Sequence, residues 1–90
     1  MDDEKTLLFI REEIDSIDAE IIALLESRFN LTREIGRIKR NLDKALFDES
    51  REEEILKKID ELALIYPKDD LKAIFKSVMK TSLNQQKVDE

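Results

Sequence analysis

The chain has 90 residues, 41% of them hydrophobic and 42% charged, and a formal net charge of −6. That length supports one domain at most and leaves a lone monomer with a thin core, because only roughly 60% of the unfolded surface is buried at this size. Without Cys there are no disulfides and no thiolate nucleophile, without His the usual general base and the usual metal ligand are missing, and the negative charge argues against nucleic acid as a partner.

One Gly, one Pro and little β-branching outside Ile predict an all-helical domain spanning residues 1–90, with one long helix and two shorter ones. The first is expected from about Lys5 to about Leu42. Its apolar heptad places Leu7, Ile14, Ile21, Ile35 and Leu42 on one rung and Ile10, Ile17, Leu24, Leu31 and Ile38 on the other. Such a helix is roughly 55 Å long, more than the width of a globule this size. A second chain or its own later helices must therefore cover it. Gly36 is a mild weakness, costing about 1 kcal/mol against Ala unless close packing requires it. No apolar run approaches the ~20 residues of a membrane span and the acidic start resembles no signal peptide, so a cytoplasmic protein is expected. Asn30-Leu31-Thr32 then matches a glycosylation acceptor by chance.

Residues 43–48 lose the helical period and read as a loop. Asp48 or Ser50 can cap the second helix, Ser50 with Glu53 having capping-box spacing. That helix carries Ile55, Leu56, Ile59, Leu62 and Ala63 on one face and is expected to end near Tyr66, before Pro67. Asp69 or Asp70 is the expected cap of the third helix, whose stripe runs through Leu71, Ile74, Phe75, Val78 and Met79. It is expected to fray after about Gln86, leaving residues 87–90 as a loose tail.

Each helix carries polar residues where its apolar stripe should continue. In the first, the heptad count from Ile21 lands on Arg28, and a charge in such a seam is costly unless an anion pairs with it. Lys39, eleven residues on, shares that face and lies about 16 Å along the axis. Arg11 is about 25 Å from Arg28, too far to reach the same small molecule within one chain. An antiparallel partner helix crossing near position 22 would bring the partner's Arg11 opposite the Arg28–Lys39 stretch, giving two equal sites in a homodimer. In the second helix, stepping back from Ile55 and Leu56 reaches Arg51 and Glu52. In the third, the stripe continues to Ser82 and Gln86. The six bases of residues 28–44, set against two acids, make a basic zone suited to a small anion. The collected set offers forked and point-charge grips for a dicarboxylate. It has no nucleophile–base pair, so only chemistry driven by positioning and electrostatics suits it. Helix-end polarity and register-fixing residues of an ordinary coiled coil account for the same pattern without a ligand.

Along nearly its whole length the sequence resembles the all-helical chorismate mutase family. The resemblance rests on Leu-x-x-x-Arg-x-x-Ile-Asp-x-Ile-Asp ending at Asp18, Leu24-Leu25-x-x-Arg28, Glu34-Ile35-Gly36-x-x-Lys39, Asp48-x-x-Arg51-Glu52 and Ser82-x-x-x-Gln86. It implies an intertwined antiparallel homodimer that converts chorismate to prephenate with no cofactor and no metal. It further implies that Arg28 and the partner's Arg11 hold the substrate carboxylates, with Arg51 and Ser82 completing that pocket. Lys39 and Gln86 would donate to the ether oxygen, and Glu52 with the backbone at Asp48 would bind the ring hydroxyl. Two other readings remain open on the same pattern: an isochorismate-pyruvate lyase on the same fold, and a non-enzymatic helical dimerisation or regulatory module.

Overall fold

A computed structural model describes residues 2–89 of the chain. Three helices follow one another, α1 (Asp3–Asn41), α2 (Glu49–Leu62) and α3 (Lys68–Val88), and there is no strand among the described residues. The chain divides into two units, one ending at Asn30 and the other beginning at Leu31. No helix among the described residues is long and apolar enough to cross a membrane.

The first unit is the N-terminal stretch of α1. The helix starts two residues earlier than expected because Asp2 caps it: the Asp2 carboxylate accepts from the Glu4 N–H at 3.0 Å and the Asp2 carbonyl from the Thr6 N–H at 3.0 Å. Asp3 and Glu4 then complement the positive end of the helix dipole. The apolar heptad is an exposed stripe in this single chain, with Leu7, Ile10, Ile14, Ile17, Ile21 and Leu24 all 48–69% exposed. Contiguous apolar surface of this kind on a charged helix marks a contact face.

In the second unit α1 ends in a Schellman motif. Asp43 adopts φ 54°, its N–H donates to the Arg40 carbonyl at 3.1 Å, and the Lys44 N–H donates to the Lys39 carbonyl at 2.8 Å. This left-handed turn reverses the chain into the loop that leads to α2. Of the two expected caps of α2, Asp48 serves: its backbone is extended and its carboxylate accepts from the Arg51 N–H at 3.0 Å. Ser50 lies inside the helix, so the Ser50–Glu53 capping box is not formed.

Helix α2 stops at Leu62, four residues before the expected end near Tyr66. Ala63 turns extended (φ −78°, ψ 111°), and Tyr66, immediately before Pro67, is disfavoured from helical backbone. The Lys68 ammonium donates to the Asp60 carbonyl at 2.8 Å, satisfying one of the orphan carbonyls of α2, while Lys72 pairs with the Asp60 carboxylate at 2.8 Å. That Lys72 hydrogen bond, with the charges of Lys72 and Lys68, holds the Asp60 carboxyl below its ordinary pKa. The hairpin leaves Leu64 and Ile65 almost fully exposed.

The N-cap of α3 is Pro67, with no side-chain cap bond; Asp69 and Asp70, expected as caps, lie in the first turn and act on the dipole instead. The far end of α3 corrects the expected loose tail over residues 87–89, Glu90 lying outside the described residues. The helix continues to Val88, and Asp89 is tied down by Arg33 and Gln85. Among the described residues the buried hydrophobic core is limited to Ile59 of α2 and Met79 of α3. Between these two helices an apolar hollow of about 280 Å³ opens, lined by Ile55, Ile59, Leu62 and Ala63 on one side and Leu71 and Phe75 on the other.

Candidate active site

The second unit places α3 against the last turns of α1 through a stripe spaced by four, Thr32, Gly36 and Arg40, stacked on one face. Gly36 is buried, and a β-carbon there would lie 2.7 Å from Cγ, 3.2 Å from Cβ and 3.3 Å from Cδ of Gln86. The Gln86 side chain thus occupies the space that any other residue at position 36 would fill. This is the close packing that justifies a glycine in mid-helix.

Gln86 is 6% exposed. Its Nε2 donates to the Thr32 backbone carbonyl at 2.6 Å, and the backbone carbonyl of Gln86 accepts from Arg40 Nη1 at 3.2 Å. A primary amide carries two N–H donors; the Thr32 bond uses one and fixes the direction of the other. Ser82, one turn earlier, is buried on the same face of α3, as is Met79, so the apolar stripe does run on into two buried polar groups as the sequence predicts.

Lys39, adjacent to Arg40 on α1, is half-buried, and its ammonium donates to the Leu46 carbonyl at 2.9 Å. The Schellman turn after α1 creates that contact by folding the loop back over its last helical turn. An ammonium has three donors, so this bond orients Lys39 while leaving it further donor capacity.

At the start of α2, Asp48 is the cap, Glu52 is half-buried and its N–H donates to the Asp48 carbonyl at 3.1 Å. The Arg51 guanidinium is paired with Glu54 at 2.8 Å, and its side chain is 54% exposed. Six of the eight expected site residues (Lys39, Asp48, Arg51, Glu52, Ser82 and Gln86) therefore belong to this unit. Arg11 and Arg28 belong to the other, Arg11 exposed and Arg28 half-buried on α1.

Sequence reasoning missed the supporting residues Thr32, Arg33, Arg40 and Asp89. The signal was available only in part. The lone glycine flanked at four residues by Thr32 and Arg40 marks a close helix–helix approach, but the partner position on α3 is not local in sequence.

Chemically, this unit offers an oriented ammonium and an anchored amide as donors, with carboxylates and a hydroxyl nearby in sequence. The chorismate mutase type II family profile matches residues 10–87. The chain is 34% identical over 83 residues to a bifunctional chorismate mutase/prephenate dehydratase of Aquifex aeolicus (strain VF5), covering 87% of this chain but only 23% of that longer protein. Two solved structures of chorismate mutase from Thermus thermophilus share the fold. Form II has a TM-score of 0.85 at 33% identity, covering 90% of this chain and 93% of that one. Form I has a TM-score of 0.80 at 34% identity, covering 84% and 96%. A long helix that carries the cationic positions, a capped second helix and a third that ends in a buried amide are what this chain sets against these relatives over almost its entire length, and it belongs to the chorismate mutase type II family.

Proposed function

We propose that this chain is an isomerase that rearranges chorismate to prephenate as a homodimer, with Arg11 contributed across the interface. The observation that carries the reading is Gln86: a buried amide at the end of an apolar stripe, anchored by Thr32 in the unit that also holds Lys39. Burying an amide is costly unless its bonds are made, and here the anchor fixes a donor.

The rearrangement breaks a C–O bond and forms a C–C bond within one molecule, so no proton, electron or leaving group has to be handled. Catalysis then has two parts. Arg28, the partner's Arg11, Arg51 and Ser82 hold the two carboxylates so that the flexible substrate sits in its compact reactive conformer. Lys39 and Gln86 donate to the ether oxygen, which gains negative charge as its bond to carbon breaks, and so bind the transition state more tightly than the ground state. Glu52 and the backbone at Asp48 hold the ring hydroxyl. The family's name and the matching fold support the substrate and reaction class; the two-chain site is supported by the exposed apolar stripe of α1 and the apolar hollow between α2 and α3. A partner's stripe has the chemistry to fill that hollow, and a core this thin needs such cover.

Purified protein should consume chorismate, followed by loss of its ultraviolet absorbance, with prephenate identified by chromatography. No turnover of chorismate, with pyruvate released from isochorismate, would convert the reading to the lyase. Removing one donor to a developing oxyanion costs on the order of a hundred- to a thousandfold, so Lys39→Ala should be severely slowed. A loss under about tenfold would sink the role given to Lys39.

A further inference from the structure

Gln86 lies in the last turn of α3, where helices fray and where four carbonyls lack partners within the helix. Two side chains of α1 and one residue beyond α3 hold that turn. Arg40 donates to the Gln86 carbonyl at 3.2 Å. Arg33 Nε donates to Asp89 Oδ2 at 3.1 Å, and the other oxygen of the same carboxylate accepts from Gln85 Nε2 at 3.1 Å. The Asp89 N–H closes onto the Gln85 carbonyl at 3.0 Å. Arg33 and Arg40 are two helical turns apart and flank Gly36, so a guanidinium stands on each side of the gap that receives Gln86. Both are cations placed at the negative end of the α3 dipole.

The Arg33 side chain is 49% exposed and that of Asp89 24%. An ion pair that open contributes little to global stability. Its effect is local, on a turn that has few other constraints and carries a group whose direction matters. We infer that Arg33, Arg40 and Asp89 are positioning residues that latch the end of α3 and so aim the Gln86 amide; none of them touches substrate. The inference rests on the role proposed for Gln86.

The test uses the full chain with Asp89→Ala, Arg33→Gln, Asp89→Glu, Gln86→Ala and the double variant Asp89→Ala/Gln86→Ala. Misplacing a catalytic donor by about 1 Å costs up to a hundredfold, so Asp89→Ala and Arg33→Gln should each lower kcat on the order of tenfold. KM should stay within about twofold, since the carboxylate grips are untouched. The thermal midpoint should barely move, and amide hydrogen exchange in residues 85–88 should accelerate. Asp89→Glu, which keeps the carboxylate, should recover most of the rate. In the Gln86→Ala background Asp89→Ala should have no further effect. The latch is overturned if Gln86→Ala is slow while Asp89→Ala is not, or if the two losses multiply. If Gln86→Ala itself keeps full kcat, the role of Gln86 fails and the latch with it. Faster exchange at residues 85–88 would then show that the ion pair orders the turn without serving the reaction.

Discussion

Gln86 presents an amide, which can donate a hydrogen bond at any pH, where a carboxylic acid of the same shape must first bind a proton. The sequence also lacks His and Cys, the side chains whose ordinary pKa values fall near neutrality. We therefore expect kcat/KM on chorismate to be flat from about pH 6 to about pH 8.5. Gln86→Glu turns the same position into a pH gate. The protonated acid donates and the carboxylate repels the developing charge, so activity should fall as pH rises through the pKa of the new acid. Rate measurements across that range on both proteins check this. A steep fall in the unaltered chain, or a flat profile for Gln86→Glu, would remove Gln86 from the ether oxygen. At the same scale the sequence revealed the polar residues themselves. Ser82 and Gln86 break an apolar stripe and are buried. What holds Gln86 was not legible, because Thr32 and Arg40 are distant in the chain and their bonds to it depend on how two helices meet.

Helices of this chain were legible where the signals are local. The order of three helices, the long apolar heptad and the Asp48 cap all follow from neighbours within a turn or two. The ends depending on distant partners were misplaced. Leu64, Ile65 and Tyr66 look like more apolar helix, yet α2 stops at Leu62 because the chain must turn before Pro67 and Lys68 reaches back to Asp60. Residues 87–89 look like a tail, yet Arg33, fifty-six residues away, holds Asp89. Gly36 is the element-scale case where two effects oppose. In an open helix Gly→Ala gains about 1 kcal/mol. Here the new methyl would meet three carbons of Gln86, the nearest at 2.7 Å, and the anchored amide prevents that side chain from swinging away. Overpacking typically costs about 1–3 kcal/mol, which outweighs the propensity gain. Gly36→Ala should therefore lower stability in chemical denaturation and slow the reaction at the same time. A stabilised Gly36→Ala would mean that α3 does not approach α1 this closely.

At the scale of the whole molecule the difficulty is that one chain covers so little of itself. Ile59 and Met79 make up the buried hydrophobic core among the described residues, while the stripe of α1 from Leu7 to Leu24 stays open. On the proposed reading a second, antiparallel copy would cover the exposed stripe and supply the Arg11 of each site. It also makes a quantitative claim. With Arg11→Ala in one protein and Lys39→Ala in another, each pure dimer has a lesion in both of its sites. When the two are mixed in equal amounts and re-equilibrated, half the dimers are hybrids. Each hybrid has one site carrying both lesions and one site carrying neither, so the mixture should regain about a quarter of the unaltered activity, as two-fold symmetry requires. If Arg11 served its own chain's site, every site would keep one lesion however the chains were shuffled, and mixing would restore nothing.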